Sequence, residues 1–247
     1  MRAILTYHSV DESGSPISVS GAAFEAHRRW LTSGVVRTQA VGDLLANPET
    51  AQDAVAVTFD DGFLNAKVPI ELLLEAGITP TLFVVTRHVG GANDWGGRDQ
   101  PGIPRLPLMT WDDLGNLSTR GLRIEAHSRT HPRLSRLSPA QLDDELGGCC
   151  EDLRSRLGVR STCLAYPYGD VSSAVAARAA NWFVYGLTTE MSPLHANRER
   201  MLQPRLDMYY YQAPRAMESW GSAGFKARLH LIALRRRLKA GVRARDR

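Results

Sequence analysis

Two short polar clusters hold the residue types best suited to chemistry: Thr58-Phe59-Asp60-Asp61-Gly62 and His127-Ser128-Arg129-Thr130-His131. Side chains of neighbouring residues point in different directions, so one of the two aspartates can ligate a metal while the other faces an attacking water. The second cluster offers two imidazoles four residues apart. On a helix that spacing would put both rings on one face, but a strand-like run precedes His127 and Pro132 follows His131, so a loop is expected. Either geometry brings two imidazoles to one ion. Two imidazoles and one carboxylate leave coordination positions open for water and substrate, the arrangement of metal-assisted hydrolysis. Each cluster also has a plainer reading by itself. Asp-Gly is a common turn pair, and a histidine pair can cap a turn or lie on the surface. Tyr166-Pro167-Tyr168-Gly169 reads alone as a tight turn after a strand, or as a rigid wall holding a backbone N–H and a ring beside a substrate. A lone His8 reads first as a hydrogen-bonded residue near the core.

The elements that must position these residues argue for the chemical reading. Strand-like runs fall at Ala3–Tyr7, Ala54–Phe59, Thr81–Val85, Leu122–Ala126, Thr162–Tyr166, Phe183–Thr188 and Arg205–Tyr209. Helical segments alternate with them, the pattern of a parallel α/β fold. Ser138-Pro139 is a helix start and Gly158 its end; a second helix is expected over Asn65–Ala76, closed by Gly77, and a third over Val171–Trp182. Tyr7-His8, Asp60-Asp61, His127–His131 and Pro167-Tyr168-Gly169 all lie just past the C-terminal ends of strands, the edge where α/β folds assemble their sites. Gly90–Pro107, rich in Gly and Pro and carrying Trp95, reads as a long loop lining that edge. No repeat or linker divides the chain, so one catalytic domain over residues 1–224 with a basic appendage over 225–247 is expected.

Composition sets the wider bounds. The 247 residues, 43% hydrophobic and 23% charged, are those of an ordinary globular protein with one large core. No apolar run is long enough to span a membrane, and the first residues have too short an apolar core for a signal peptide, so a cytoplasmic location is expected. Cys149, Cys150 and Cys163 have neither zinc-knuckle nor redox-pair spacing and read as plain thiols. From Lys226 to Arg247 nine basic residues face one acid, Asp246, so this stretch carries +8 and the remainder −4. Phe225, Leu229, Ile232 and Leu238 recur there near helical spacing. The segment is either a solvated basic helix or an amphipathic one lying on an anionic membrane surface, which would put the protein at the inner face of the membrane. Nucleic acid is not an expected partner, because the acidic body holds no recognisable binding module.

In this order the motifs resemble the NodB-homology polysaccharide deacetylases, carbohydrate esterase family four. Thr58–Gly62 matches the first motif, His127–His131 the second, and Ala165-Tyr166-Pro167-Tyr168-Gly169 the third except that Ala165 stands where that family has arginine. The resemblance covers about Ile4 to Tyr209. It implies a distorted (β/α) barrel of about seven strands. It also implies a divalent ion, zinc first and cobalt or nickel as alternatives, held by Asp61, His127 and His131. Asp60 would be the general base, and the Tyr168 N–H, with Pro167 and Trp95 nearby, would serve the substrate and the oxyanion. The family's Leu-x-His motif has no clear counterpart; Ser192-Pro193-Leu194-His195 and Leu229-His230 are imperfect candidates. Tyr7-His8, Phe24 and the Ala165–Gly169 segment resemble the poly-N-acetylglucosamine deacetylase branch most. In that branch the early histidine is the proton donor, which gives His8 that role, and Arg205 becomes the candidate replacement for the absent arginine. The implied activity is hydrolysis of an N-acetyl group on an amino sugar such as N-acetylglucosamine, in a polysaccharide, an oligosaccharide or a lipid-linked sugar. The alternative is a silent carbohydrate-binding protein on the same fold, to which an intact Asp-Asp and histidine pair would be of little use.

Overall fold

The computed structural model describes residues 1–47, 53–95 and 102–245, with the side chains of the last helix described through Leu238. Its strands are β1 (Arg2–Tyr7), β2 (Ser9–Val10), β3 (Ser18–Val19), β4 (Arg37–Thr38), β5 (Ala54–Phe59), β6 (Thr81–Val84), β7 (Arg123–Ala126), β8 (Cys163–Ala165), β9 (Tyr185–Leu187) and β10 (Leu206–Asp207). Its helices are α1 (Gly21–Leu31), α2 (Val41–Ala46), α3 (Lys67–Glu75), α4 (Trp111–Thr119), α5 (Pro139–Leu157), α6 (Ser173–Ala179) and α7 (Ala223–Arg245).

Seven parallel strands run in the order β10-β1-β5-β6-β7-β8-β9, and β4 pairs with the start of β5. Parallel strands need crossovers that cover both faces, so they read as unbroken apolar runs; every residue of β5 is buried. Leu187 at the end of β9 bridges Gln203, just ahead of β10, so the two ends of the sheet approach each other. The result is the distorted (β/α) barrel expected from the sequence.

Strand periodicity divides the core and aims the site. Leu5, Tyr7, Val57, Phe59, Leu82 and Val84 pack outward under the helices, whereas Ile4, Ala56, Phe83, Cys163 and Ala165 fill the barrel. Thr6 and Thr58 continue the inward row, their hydroxyls 3.2 Å apart. Two residues further along each strand, the same parity reaches His8 and Asp60.

The expected starts and stops are present where local chemistry dictates them. Ser138 caps α5 with a reciprocal bond to Gln141, Pro139 opens the helix, and Gly158 closes it at φ 67°. Other elements differ from expectation. Asn65–Ala76 divides into a 3₁₀ turn, Leu64–Ala66, followed by α3. The third helix is shorter, running from Ser173, where the Ser172 hydroxyl accepts from Val175 N–H and caps its start, to Ala179. The last strand shortens to Leu206–Asp207, since the Asp207 carboxylate accepts from Tyr209 N–H and starts a 3₁₀ turn over Met208–Tyr211.

The C-terminal segment packs on the body: Phe225, Leu229 and Ile232 enter the main core, while Leu238 faces solvent. Cys149 and Cys163 are buried, Cys150 is half-buried, and all three are free thiols.

Candidate active site

Among the described residues, the only non-glycine residues with left-handed backbone are Asp61 (φ 73°), Ser128 (φ 62°), His131 (φ 61°) and Tyr168 (φ 60°). All four belong to the three motifs beyond β5, β7 and β8. An L-residue tolerates that conformation only where its surroundings enforce it, and such strain concentrates at functional sites. In the first motif it turns Asp61 away from Asp60 immediately after the strand. Asp60 N–H stays tied to the Tyr7 carbonyl at 2.9 Å, so the first aspartate continues the sheet while the second leaves it.

Asp61, His127 and His131 converge, their ligand atoms all within 4.8 Å of one another. Asp61 Oδ1 lies 3.3 Å from His127 Nε2 and 3.4 Å from His131 Nε2, yet this buried oxygen accepts no hydrogen bond. His127 Nδ1 lies 2.7 Å from the Ala165 carbonyl. A carbonyl only accepts, so Nδ1 carries the hydrogen and Nε2 presents its lone pair to the centre. Burial holds the His131 pKa down at about 3, keeping that ring neutral. Burial also opposes a charge on His127, but Asp61 and Asp60 outweigh it and raise its pKa, so their field attracts positive charge to this point. Burial likewise pushes Asp61 up, and the two imidazoles more than reverse it, leaving the carboxylate well below its usual range. An orphaned anionic oxygen facing two imidazole nitrogens is the donor set of a divalent cation with open positions, so the residues present fit a metal.

Asp60 faces a different environment. Arg205 donates to both of its oxygens, Nη1 to Oδ1 at 2.7 Å and Nη2 to Oδ2 at 2.8 Å, and both residues are buried. Arg205 Nε donates to the Thr188 carbonyl at 3.0 Å, which fixes the plane of the guanidinium. Burial would raise the Asp60 pKa; Arg205, His127 and His8 together lower it, so Asp60 is ionised. His8 Nε2 stands 3.8 Å from Asp60 Oδ2 on the cleft side, 24% exposed. Where the third motif has arginine, Ala165 is buried in the barrel interior, and Asp60 receives its guanidinium from the far end of the chain instead.

His8, Asp60, Asp61, His127, His131, Trp95, Tyr168 and Arg205 all line one cleft. The Trp95 ring lies 4.7 Å from that of His131, and the Tyr168 ring packs edge-on against His131 at 4.5 Å. Pro167 is buried beneath, opening the turn that carries Tyr168, and does not itself line the cleft. His195 and His230 are exposed and lie outside it. Part of the Gly90–Pro107 loop falls outside the described residues; Trp95 and Ile103 both reach the cleft.

Several contributors went unread in the sequence. Glu145 on α5 accepts from Arg129 N–H (2.8 Å), Thr130 N–H (2.9 Å) and the Thr130 hydroxyl, bracing the loop between the two histidines. Arg129 in turn bonds Asp152, which also accepts from Thr86. Only the spacing of Glu145 and Asp152 along one helix could have hinted at this. Tyr166 of the third motif and Asn93 of the Gly90–Pro107 loop also line the cleft, as do Ile17 and Thr189, which nothing in their sequence context marks.

Fold and motifs together define a deacetylase-type barrel, and comparison with known proteins agrees. Residues 47–185 match the polysaccharide deacetylase family, and the chain belongs to it. The chain is 26% identical to the Bacillus subtilis protein YxkH over 203 residues, covering 80% of this chain and 67% of that one. It is 27% identical to chitin deacetylase 1 of Cryptococcus neoformans over 164 residues, but spans only 30% of that protein. Among solved structures, the Streptococcus pyogenes deacetylase PplD superposes with a TM-score of 0.75 at 18% identity, covering 88% of this chain and 96% of that one. IcaB from Ammonifex degensii superposes with a TM-score of 0.66 at 21% identity, covering 83% and 90%.

Proposed function

We propose that the chain is a metal-dependent hydrolase that removes the N-acetyl group from an amino sugar, releasing acetate and a free amine. The observation that carries this reading is the division of labour between adjacent aspartates, Asp60 clamped by Arg205 and Asp61 facing two imidazole nitrogens. A divalent cation on Asp61, His127 and His131, zinc before cobalt or nickel, would supply Lewis acidity toward the amide carbonyl and the attacking water.

The residues of the chain do the rest. Asp60 takes the proton of the attacking water; its pair with Arg205 keeps it ionised and fixes the direction in which its oxygens point. The Tyr168 N–H, in the strained turn after β8, is the donor assigned to the oxyanion. His8 hands a proton to the nitrogen as the C–N bond breaks, because an amine cannot leave as an anion. Its partial exposure gives it a route to recover that proton from solvent. Trp95 and the exposed face of Tyr168 form aromatic walls suited to a sugar ring in an open cleft, which suits N-acetylglucosamine units in a polysaccharide, an oligosaccharide or a lipid-linked sugar.

The test is acetate release from N-acetylglucosamine oligomers and lipid-linked amino sugars, with and without added divalent metal. Asp60→Asn should lose about 10²–10⁴-fold in turnover while still binding the cation. Binding of the oligomers without acetate release under any metal would overturn the hydrolase reading in favour of a silent carbohydrate-binding protein.

A further inference from the structure

The last helix has two apolar faces, and the body of the protein uses only one. At 100° per residue, Phe225, Leu229 and Ile232 point one way, and they are buried in the core. Leu231, Leu234 and Leu238 form a second stripe on the opposite side, 48%, 55% and 63% exposed. Lys226, His230 and Arg237 border this outer stripe on one side and Arg235 on the other, all exposed. Among the described residues Lys226 and Arg235 have no acidic partner, and the segment from Lys226 onward contains a single acid, Asp246. The membrane-facing stripe expected from the sequence is therefore not the one built on Phe225, Leu229 and Ile232; those three residues hold the helix to the body and leave the other face outward.

We propose that α7 is a peripheral membrane-docking surface, with Leu231, Leu234 and Leu238 entering the boundary of an anionic lipid bilayer and the bordering basic residues meeting its headgroups. Apolar residues along one face with cations at both borders match the two parts of such a surface in chemistry and in order. A second copy of the chain fits less well. Leucines at these spacings could pair two helices, but pairing would bring Arg235, which has no acidic partner among the described residues, against its equivalent. The helix is also anchored firmly enough to transmit contact to the body: Arg236 bonds Asp207 at 2.9 Å and Arg237 lies 3.5 Å from Glu190.

The experiment is co-sedimentation of the full chain with phosphatidylcholine vesicles, with and without phosphatidylglycerol, over a range of salt. Binding should require phosphatidylglycerol and weaken as salt rises past ~0.1 M, where screening reaches about 10 Å. The triple variant Leu231→Ser, Leu234→Ser, Leu238→Ser should lower partitioning by about tenfold or more, with thermal stability unchanged because these side chains touch no core. Lys226→Glu with Arg235→Glu should lower it as well. Equal binding to neutral vesicles, or unaltered binding by the triple variant, would overturn the proposal. So would a wild-type dimer that the triple variant converts to monomer, since the stripe would then serve a second copy. No arm of this test reads hydrolysis, so its failure is distinct from failure of the proposed activity.

Discussion

The Asp60–Arg205 pair joins residues 145 positions apart through two hydrogen bonds of 2.7 and 2.8 Å, which is why its partner could only be guessed from the sequence. Asp60, Asp61, His127 and His131 were legible because each sits in a short motif just past the end of a strand, and those motifs resemble a known family's. Arg205 has no motif; only the register of β10 against β1 brings it to the site. Replacing it tests what the fork contributes. Arg205→Lys keeps the charge but loses bidentate positioning, so kcat should fall about 10–100-fold with KM little changed. Arg205 lowers the Asp60 pKa, and the proposed mechanism uses the ionised form, so activity should fall as pH drops through that pKa. A weaker hold raises it, and the acid limb of the pH–rate profile should move to higher pH in the variant; an unmoved limb would separate Arg205 from the ionisation of Asp60. A second buried group gives a stability prediction of opposite character. His27 bridges the Tyr7 hydroxyl (3.0 Å) and the Tyr211 carbonyl (2.9 Å), and burial, partly offset by that carbonyl, lowers its pKa. The folded state therefore binds this proton less readily than the unfolded state, so stability is full above ~6.5 and declines as pH falls below it, by at most about 1.4 kcal/mol per unit. Urea titrations of wild type and His27→Gln should converge as pH is lowered from 7.5 to 5, and parallel curves would count against the assignment.

At the scale of elements, legibility followed how much of each element's stability is local. Helix α5 carries its own cap, proline and terminal glycine, and its bounds could be read directly. Helix α2, six residues with no side-chain cap, and the two-residue strands β2, β3 and β4 exist because neighbours hold them, and none was anticipated. Helix α4, also absent from the expected elements, does carry a local start signal, the reciprocal Thr110–Asp113 capping box. The loop after β7 was expected as a loop, but its shape was not, since two left-handed residues, Ser128 and His131, have to be enforced from outside it. Part of that enforcement comes from Glu145 on α5. Glu145→Ala should leave the helix intact, yet remove the carboxylate that holds the Arg129 and Thr130 N–H groups and let the histidines drift. Zinc affinity by calorimetry should fall about 10–100-fold, as for other groups that orient metal ligands indirectly. A variant as tight as wild type would mean that the loop holds its shape unaided.

For the molecule as a whole, the arrangement that completes the site is also the most exposed to disturbance. Strand β10 is only two residues long and lies at the edge of the sheet, yet it follows directly on Arg205. Its support comes from β1 on one side and from α7, through Arg236 to Asp207, on the other. The turn after β10 is pinned in the same way: Tyr211 stacks on Phe225 with ring centroids 5.2 Å apart, and Trp220 meets Phe225 at 5.1 Å. The basic segment, set apart in the sequence by its charge, is thus the outer brace of the strand that steadies Asp60. Phe225→Ala should remove about 3–5 kcal/mol of stability, the usual range for a buried phenylalanine. The loss should not be uniform. Because the cavity opens beside the β10 turn while Asp61, His127 and His131 hang from central strands, Arg205 should release Asp60 before the sheet unfolds. In Phe225→Ala, acetate release should therefore decline at lower urea than the far-ultraviolet circular dichroism, whereas in wild type the two should decline together. Coincident transitions in the variant would show that the brace and the sheet unfold as one unit.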